Sequence, residues 1–163
     1  MKNALNLFLV SCLIVFSTSC SSDSTEELSL ENNEMVIPQS KVIEIEILEL
    51  INNHRISQGL NTLDDLDIIK GQAFTHSDYM VETNNVSHAN FPSRRMYLIN
   101  NAGAVSVSEN VAYGFTNAQS VVNAWLNSED HKANIEGDFT DFEISAEQND
   151  EGDWYYTNIF IKK

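Results

Sequence analysis

The chain has 163 residues, 24 acidic against 9 basic, and a formal net charge of −15 at neutral pH. That excess of carboxylates repels phosphate backbones and excludes nucleic acid as a partner. The only cysteines are Cys12 and Cys20, which excludes a multi-disulfide framework as the means of holding a core together.

The first segment, MKNALNLFLVSCLIVFSTSC, sets one cation, Lys2, ahead of an apolar stretch from Ala4 to Phe16, followed by small residues up to Cys20. Asn6 and Ser11 interrupt the stretch, which is too short for a convincing membrane span. It looks instead like a bacterial lipoprotein signal, so residues 1–19 are expected to be removed and Cys20 to become an acylated first residue. Cys12 leaves with the signal, and the mature chain is expected to contain no disulfide. Residues 20–40 then read as a lipidated cysteine and an acidic flexible tether. Asp23, Glu26, Glu27, Glu31 and Glu34 stand there without a basic residue. Acidic residues directly after a lipidated cysteine also resemble surface-export signals of outer-membrane lipoproteins. The expected location is therefore the cell envelope, lipid-anchored to the outer membrane and surface-exposed, with membrane lipid as a partner through Cys20. Residues 41–163 suffice for one domain and are too few for two.

Within that domain, Ile43, Ile47, Leu50, Ile51 and Ile56 approach a helical stripe, with Ser40 as the expected N-cap and Gly59 as the stop. Thr62 and Asp65 are spaced as the start of a second helix, whose stripe is Leu66, Ile69, Ala73, His76 and Met80. From Glu82 to Val107 the pattern is irregular, with a short helix expected around Arg94 to Ile99. A third main helix is expected over Ala118–Asn127, burying Val121, Val122 and Trp125. Ser128 is placed to cap another short helix, with Glu129 and Asp130 in its first turn. Two strand-like runs, Asp141–Gln148 and Trp154–Ile161, are joined by the turn NDEGD. Helices enclosing a small sheet is the architecture that this order suggests.

The mature chain has four histidines and no free cysteine nucleophile once Cys20 is acylated. G-x-S-x-G, H-E-x-x-H, Walker A and dinucleotide-binding motifs are absent. His131 falls near the third residue of the Ser128-capped helix, where the dipole disfavours imidazolium and leaves a neutral ring able to ligate a metal or accept a proton. The position equally suits a capping or packing histidine. Asn134, one turn on, shares its face. His88 lies in a polar loop, NNVSHAN, where a histidine is either simply exposed or supplied to a ligand. Glu109 could orient an imidazole through its second ring nitrogen or act as a base. His76 belongs to an apolar stripe and reads as a hydrogen-bonded core or cleft residue; His54, near a helix C-terminus, suits protonation. Arg55, Arg94 and Arg95 are scarce cations whose plain use is internal ion pairing. Trp125, Trp154, Tyr155 and Phe160 read first as core aromatics.

Taken in order, NNHRISQGL (52–60), THSDYM (75–80), Ser87-His88, SENVAYG (108–114), VVNAWLNSEDHKANI (121–135) and YYTNIF (155–160) resemble the CAP superfamily. Its members include cysteine-rich secretory proteins, insect venom antigens and plant pathogenesis-related proteins, and the chain looks most like a small bacterial lipoprotein branch. The resemblance covers nearly all of 43–161. It implies an α+β fold, an alpha-beta-alpha sandwich with a three-stranded antiparallel sheet between helical layers and an open cleft. It implies that His88 and His131 match two cleft histidines that bind a divalent ion in some relatives, and that Glu109 matches the first cleft glutamate. Asn110 and Asn134 would brace the cleft, and Asn52 and Arg55 match a structural signature on the first helix, with Trp125 the helix tryptophan. Relatives with four cleft residues carry a second glutamate three residues after that tryptophan; here the position is Ser128. Two histidines alone make an incomplete site, suited at most to a weakly bound divalent cation such as zinc. The expected function is a membrane-tethered, monomeric extracytoplasmic binding module for a lipid, glycan or protein ligand of the envelope or its surroundings. The alternatives are a metal-assisted hydrolase using His88, Glu109 and His131, and a structural envelope component.

Overall fold

The computed structural model describes residues 35–163. The expected signal segment, Cys20 and the tether up to residue 34 lie outside the described residues.

Helix α1 spans Val42–Ser57. The alternating run VIEIEIL folds as helix because Glu44, Ile47, Leu48, Ile51 and Arg55, spaced three and four apart, form one buried stripe. Its N-cap is Lys41, one residue later than the Ser40 expected from side-chain capping. The Lys41 N–H donates to Glu44 Oε2 at 2.6 Å, so a carboxylate three residues on satisfies the orphan donor that Ser40 would have left to itself. The Thr62–Asp65 start for the second helix is overturned. Asp64 and Asp65 form a short strand, β1, pairing in parallel with Asp141 and Phe142, and the helix α2 runs from Asp67 to Thr83. Ile69, Ala73, His76 and Met80 are buried along it.

Helix α3, Phe91–Ala102, is longer than the Arg94–Ile99 stretch expected from periodicity. Pro92 sits in its first turn, where a missing N–H is harmless, and Gly103, at φ +70°, ends it in the left-handed conformation. Strand β2, Ser106–Tyr113, follows. Helix α4 covers Ala118–Leu126, with Asn117 Oδ1 accepting from the Ser120 N–H at 2.9 Å. Helix α5 is Glu129–Ile135, and β3 (Asp141–Gln148) and β4 (Trp154–Lys162) form the final hairpin. In its turn Asn149 Oδ1 accepts the N–H groups of Glu151 and Asp153 at 3.1 and 2.8 Å.

The sheet order is β1-β3-β4-β2. β2 and β3 are both antiparallel to β4, and β1 adds a parallel edge to the three-stranded core of the sheet. Along β4 the side chains alternate as pleating demands. Tyr156 and Phe160 pack with Ile47, Ile51, Val121, Val122, Trp125 and Ile135 on one face, whereas Ile159 and Ile161 pack with Ile69, Ala73, Leu98 and Val107 on the other. One face is thus covered by α1, α4 and α5 and the other by α2 and α3, an α+β sandwich of the alpha-beta-alpha kind. Each large apolar side chain buried this way contributes about 1.5–3 kcal/mol.

Beyond Phe142 the outer edge of β3 has no strand beside it among the described residues, and a buried ion pair lies along it. Lys70 Nζ donates to Glu44 Oε2 at 2.7 Å and to the Ile144 carbonyl at 2.6 Å, and Glu44 Oε1 accepts from the Ala146 N–H at 2.8 Å. Among the described residues no helix is long and apolar enough to cross a membrane.

Candidate functional site

Strand β2 is the edge of the sheet opposite β1, and successive residues on a strand face opposite sides. Glu109 and Asn110, adjacent in sequence, therefore serve opposite helical layers, and both are buried. This local geometry lets one short segment present polar side chains to both helical layers.

On the α2/α3 side Glu109 is gripped from several directions. Arg94, on α3, donates from Nε to Oε2 and from Nη2 to Oε1, both at 2.9 Å, and from Nη1 to the Ala89 carbonyl at 2.7 Å. His88 Nδ1 lies 2.9 Å from Glu109 Oε1. Since a carboxylate only accepts, the His88 Nδ1–H donates to Glu109, and that bond leaves Nε2 outside the pair. The His88 side chain is 53% exposed, against 1% for Glu109. Behind them, His76 Nε2 is 2.7 Å from the Ser87 carbonyl and 3.9 Å from Glu109 Oε1. The carbonyl fixes the His76 proton on Nε2. Burial, and then the nearby Arg94 charge, hold this ring below the ordinary histidine range.

On the other side Asn110 Nδ2 donates to the His131 carbonyl at 3.0 Å, and Asn134 Nδ2 donates to Asn110 Oδ1 at 2.8 Å. These two amides tie α5 to the edge strand. Ser128, the N-cap of α5, makes no side-chain cap bond. Its hydroxyl meets His131 Nδ1 at 2.9 Å instead. His131 is held below the ordinary histidine range by burial first and by proximity to His88 second. The helix dipole is not needed for this: partial burial and the neighbouring His88 already disfavour a charge on the ring. Neither His88 Nε2 nor His131 Nε2 has a hydrogen-bond partner among the described residues.

The donor set does not fit a divalent metal. Glu109 has both oxygens engaged by Arg94 and His88, Ser128 stands where a second carboxylate would be, and among the described residues no group of three or more His, Cys, Asp or Glu side chains could hold an ion.

Other singled-out residues lie apart from these contacts and act as ties. Arg55, 2% exposed, donates from Nη1 to the Ile135 and Gly137 carbonyls at 2.7 and 2.9 Å and from Nε to the Asn61 carbonyl at 2.8 Å. It binds carbonyls rather than forming the ion pair expected of a scarce cation. Asn52 clasps the Leu63 backbone, accepting at 2.8 Å and donating at 3.0 Å. Trp125 Nε1 donates to the Val111 carbonyl at 3.1 Å, which fixes α4 against β2. His54 pairs with Glu136 at 2.8 Å. Sequence reasoning missed Arg94 as the partner of Glu109; its rarity as a cation in an acidic chain signalled an ion pair but not with which carboxylate.

Comparison with known proteins follows the same outline. Residues 48–160 match the model of the cysteine-rich secretory protein family, CAP. An uncharacterized membrane protein of Bacillus subtilis (strain 168), YlbC, is 33% identical over 124 residues, 74% of this chain and 34% of that protein. The chain thus spans about a third of that curated relative's length. Among solved structures, an extracellular protein containing an SCP domain from Bacillus anthracis superposes with a TM-score of 0.64 at 26% identity, covering 74% of this chain and 40% of that one. An outer surface protein of Borrelia burgdorferi gives 0.65 at 23% identity, covering 72% of this chain and 90% of that one, and shares the fold.

Proposed function

The chain belongs to the cysteine-rich secretory protein family, and we propose that within it the chain is a lipid-anchored, extracytoplasmic binding module of a small bacterial lipoprotein branch. In this reading residues 1–19 are a signal, Cys20 carries the acyl chains, Ser21 to Ser40 form an acidic tether, and 41–163 are the working domain. The domain stands at the outer membrane, and its cleft takes a lipid, glycan or protein of the envelope or its surroundings. Relatives described as an outer surface protein and as an extracellular protein support an extracytoplasmic setting.

The observation that carries binding over hydrolysis is the bidentate hold of Arg94 on Glu109. A carboxylate neutralised by a guanidinium and already receiving the His88 proton is a poor general base. What remains at the surface is a pair of imidazole Nε2 atoms, suited to meeting hydroxyl or amide groups of a ligand. The test is capture from native envelope extract by the wild type and by the His88→Ala/His131→Ala double variant, with the bound molecule identified by mass spectrometry. An intact molecule retained by the wild type and lost from the double variant supports the reading. Recovery of cleaved product would move the function to hydrolysis, and equal retention by both proteins would remove the cleft from it.

A further inference from the structure

At the side of the sheet away from β2, a cavity of about 400 Å³ opens between α1, the end of β1 and the outer edge of β3. Its walls include Ile45, Leu48 and Glu49 of α1, Asp65 of β1 and Glu143 of β3, and no lysine, arginine or histidine is among its lining residues. Glu143 is 5% exposed, yet its carboxyl is turned to this edge. In an antiparallel strand the N–H and the carbonyl of one residue point the same way. The Ile144 carbonyl points outward to Lys70 Nζ at 2.6 Å, so the Ile144 N–H, which donates to Glu143 Oε2 at 3.2 Å, lies on the outer edge as well. Glu143 Oε1 has no hydrogen-bond partner among the described residues, and it is not one of the sealed, unpaired polar atoms, which are His76 Nδ1, Ser108 Oγ and Asn158 Oδ1. A buried carboxyl therefore brings an unpartnered but accessible oxygen to the cavity wall. Lys70 from α2, Asp65 from β1 and Glu44 from α1 face Glu143, and the one cation of the three is committed to Glu44 and the Ile144 carbonyl. Burial holds the Glu143 and Asp65 carboxyls above their ordinary range, so a positive charge brought into the cavity is favoured by both.

We propose that this cavity is a binding site for a small alkyl compound carrying two or more ammonium groups, a linear diamine or polyamine. The chemistry of the walls selects that class. Carboxyls on three elements, Glu49, Asp65 and Glu143, require positive charge. They do not form a metal cage: among the described residues no group of three or more His, Cys, Asp or Glu side chains is placed to hold one ion, and the cavity is far larger than an ion. The positive charge is therefore spread along a molecule. An ammonium only donates, which matches Glu143 Oε1, a pure acceptor when ionised. Leu48 and the exposed Ile45 supply apolar surface for the methylene chain between the charged ends.

The test uses 1,5-diaminopentane, pentylamine and 1,5-pentanediol, titrated into the purified protein near pH 8 and followed by calorimetry and by the amide NMR signals of α1 and β1. A second ammonium predicts that the diamine binds about fivefold or more tightly than the monoamine, and the diol should not bind. The Glu143 carboxyl, pushed up to about 7 in the free protein, should titrate lower in the diamine complex, read by carboxyl-carbon NMR. Glu143→Gln and, as a second variant at an exposed wall position, Glu49→Gln should each weaken the diamine about threefold or more. Asp150→Asn/Glu151→Gln removes two charges from the distant hairpin turn and should leave its affinity unchanged, which separates a site from general attraction to an acidic protein. Equal affinity for diamine and monoamine, binding of the diol, equal weakening by the hairpin variant, or no shift of the α1 and β1 signals at millimolar diamine would each overturn the proposal.

Discussion

Two buried carboxylate–cation pairs organise this domain, and they differ in what they leave unsatisfied. Glu44 and Lys70, 0% and 2% exposed, hold each other and the outer edge of β3, and Glu44 reaches outward only to the backbone and ammonium of Lys41. Glu109 and Arg94 are also buried, yet their network continues into His88, which is half in solvent. The first pair substitutes for a missing strand. The second links the edge strand's buried carboxylate to a half-exposed histidine. Burying an ion pair brings little net stability, but removing one partner leaves the other charge stranded.

The largest expected effect follows from that asymmetry. Lys70→Ala strands Glu44 and exposes the Ile144 carbonyl to an unfilled space, and should cost about 3–5 kcal/mol in urea unfolding. The Glu44→Gln/Lys70→Met double variant should recover a substantial part of it, because no lone charge remains. Arg94→Met should cost roughly 2–4 kcal/mol. Unlike the Lys70 variant it should also move the His88 ring signals in imidazole NMR, since the Glu109 carboxylate that holds Nδ1 loses its guanidinium partner. A loss of stability with no movement of His88 would mean that the two pairs are equivalent structural devices.

A third carboxylate separates them by pH. Burial pushes Glu143 up to about 7 from an ordinary 4.5, despite the opposing influence of Lys70. A carboxyl whose folded pKa is raised contributes stability that is complete below the unfolded pKa and is lost as pH rises through the folded one. Glu143→Gln should therefore match the wild type near pH 4.5 and exceed it by roughly 1–3 kcal/mol near pH 8. His76 and His131 run the other way. Their lowered pKa values give stability that is present above the unfolded histidine pKa and lost as pH falls below it, so acidification from that point should destabilise the wild type more than a His131→Gln variant. The smallest effect belongs to Ser128. Ser128→Ala removes only the hydroxyl at His131 Nδ1 and should cost about 1 kcal/mol or less, leaving the Glu109–Arg94 side untouched.

The sequence was most legible where pattern and burial coincide. The α2 stripe of Ile69, Ala73, His76 and Met80, the α4 face and the terminal hairpin follow from three-and-four or two-residue spacing. It was least legible at β2, where Glu109 and Asn110 are buried between Val107 and Ala112 and so break the hydrophobic alternation that marks a strand. It misled at Asp64 and Asp65, because a short parallel pairing with β3 overrides local capping preference. At Ser128 a side chain with two available uses chose the histidine over the helix end, a choice set by tertiary contact. The identity of the cleft residues came from family resemblance; that Arg94 closes on Glu109 is a contact between α3 and β2 that no spacing encodes.

Side-chain nitrogen NMR of the imidazole and guanidinium groups, recorded with and without equimolar zinc, tests the account most directly. It predicts a His88 Nδ1–H and an Arg94 Nε–H signal, each in a hydrogen bond to Glu109 that zinc leaves in place. Joint movement of His88 and His131 Nε2 to metal-bound positions, with loss of the Arg94 hydrogen bond, would contradict it and make the cleft a metal centre.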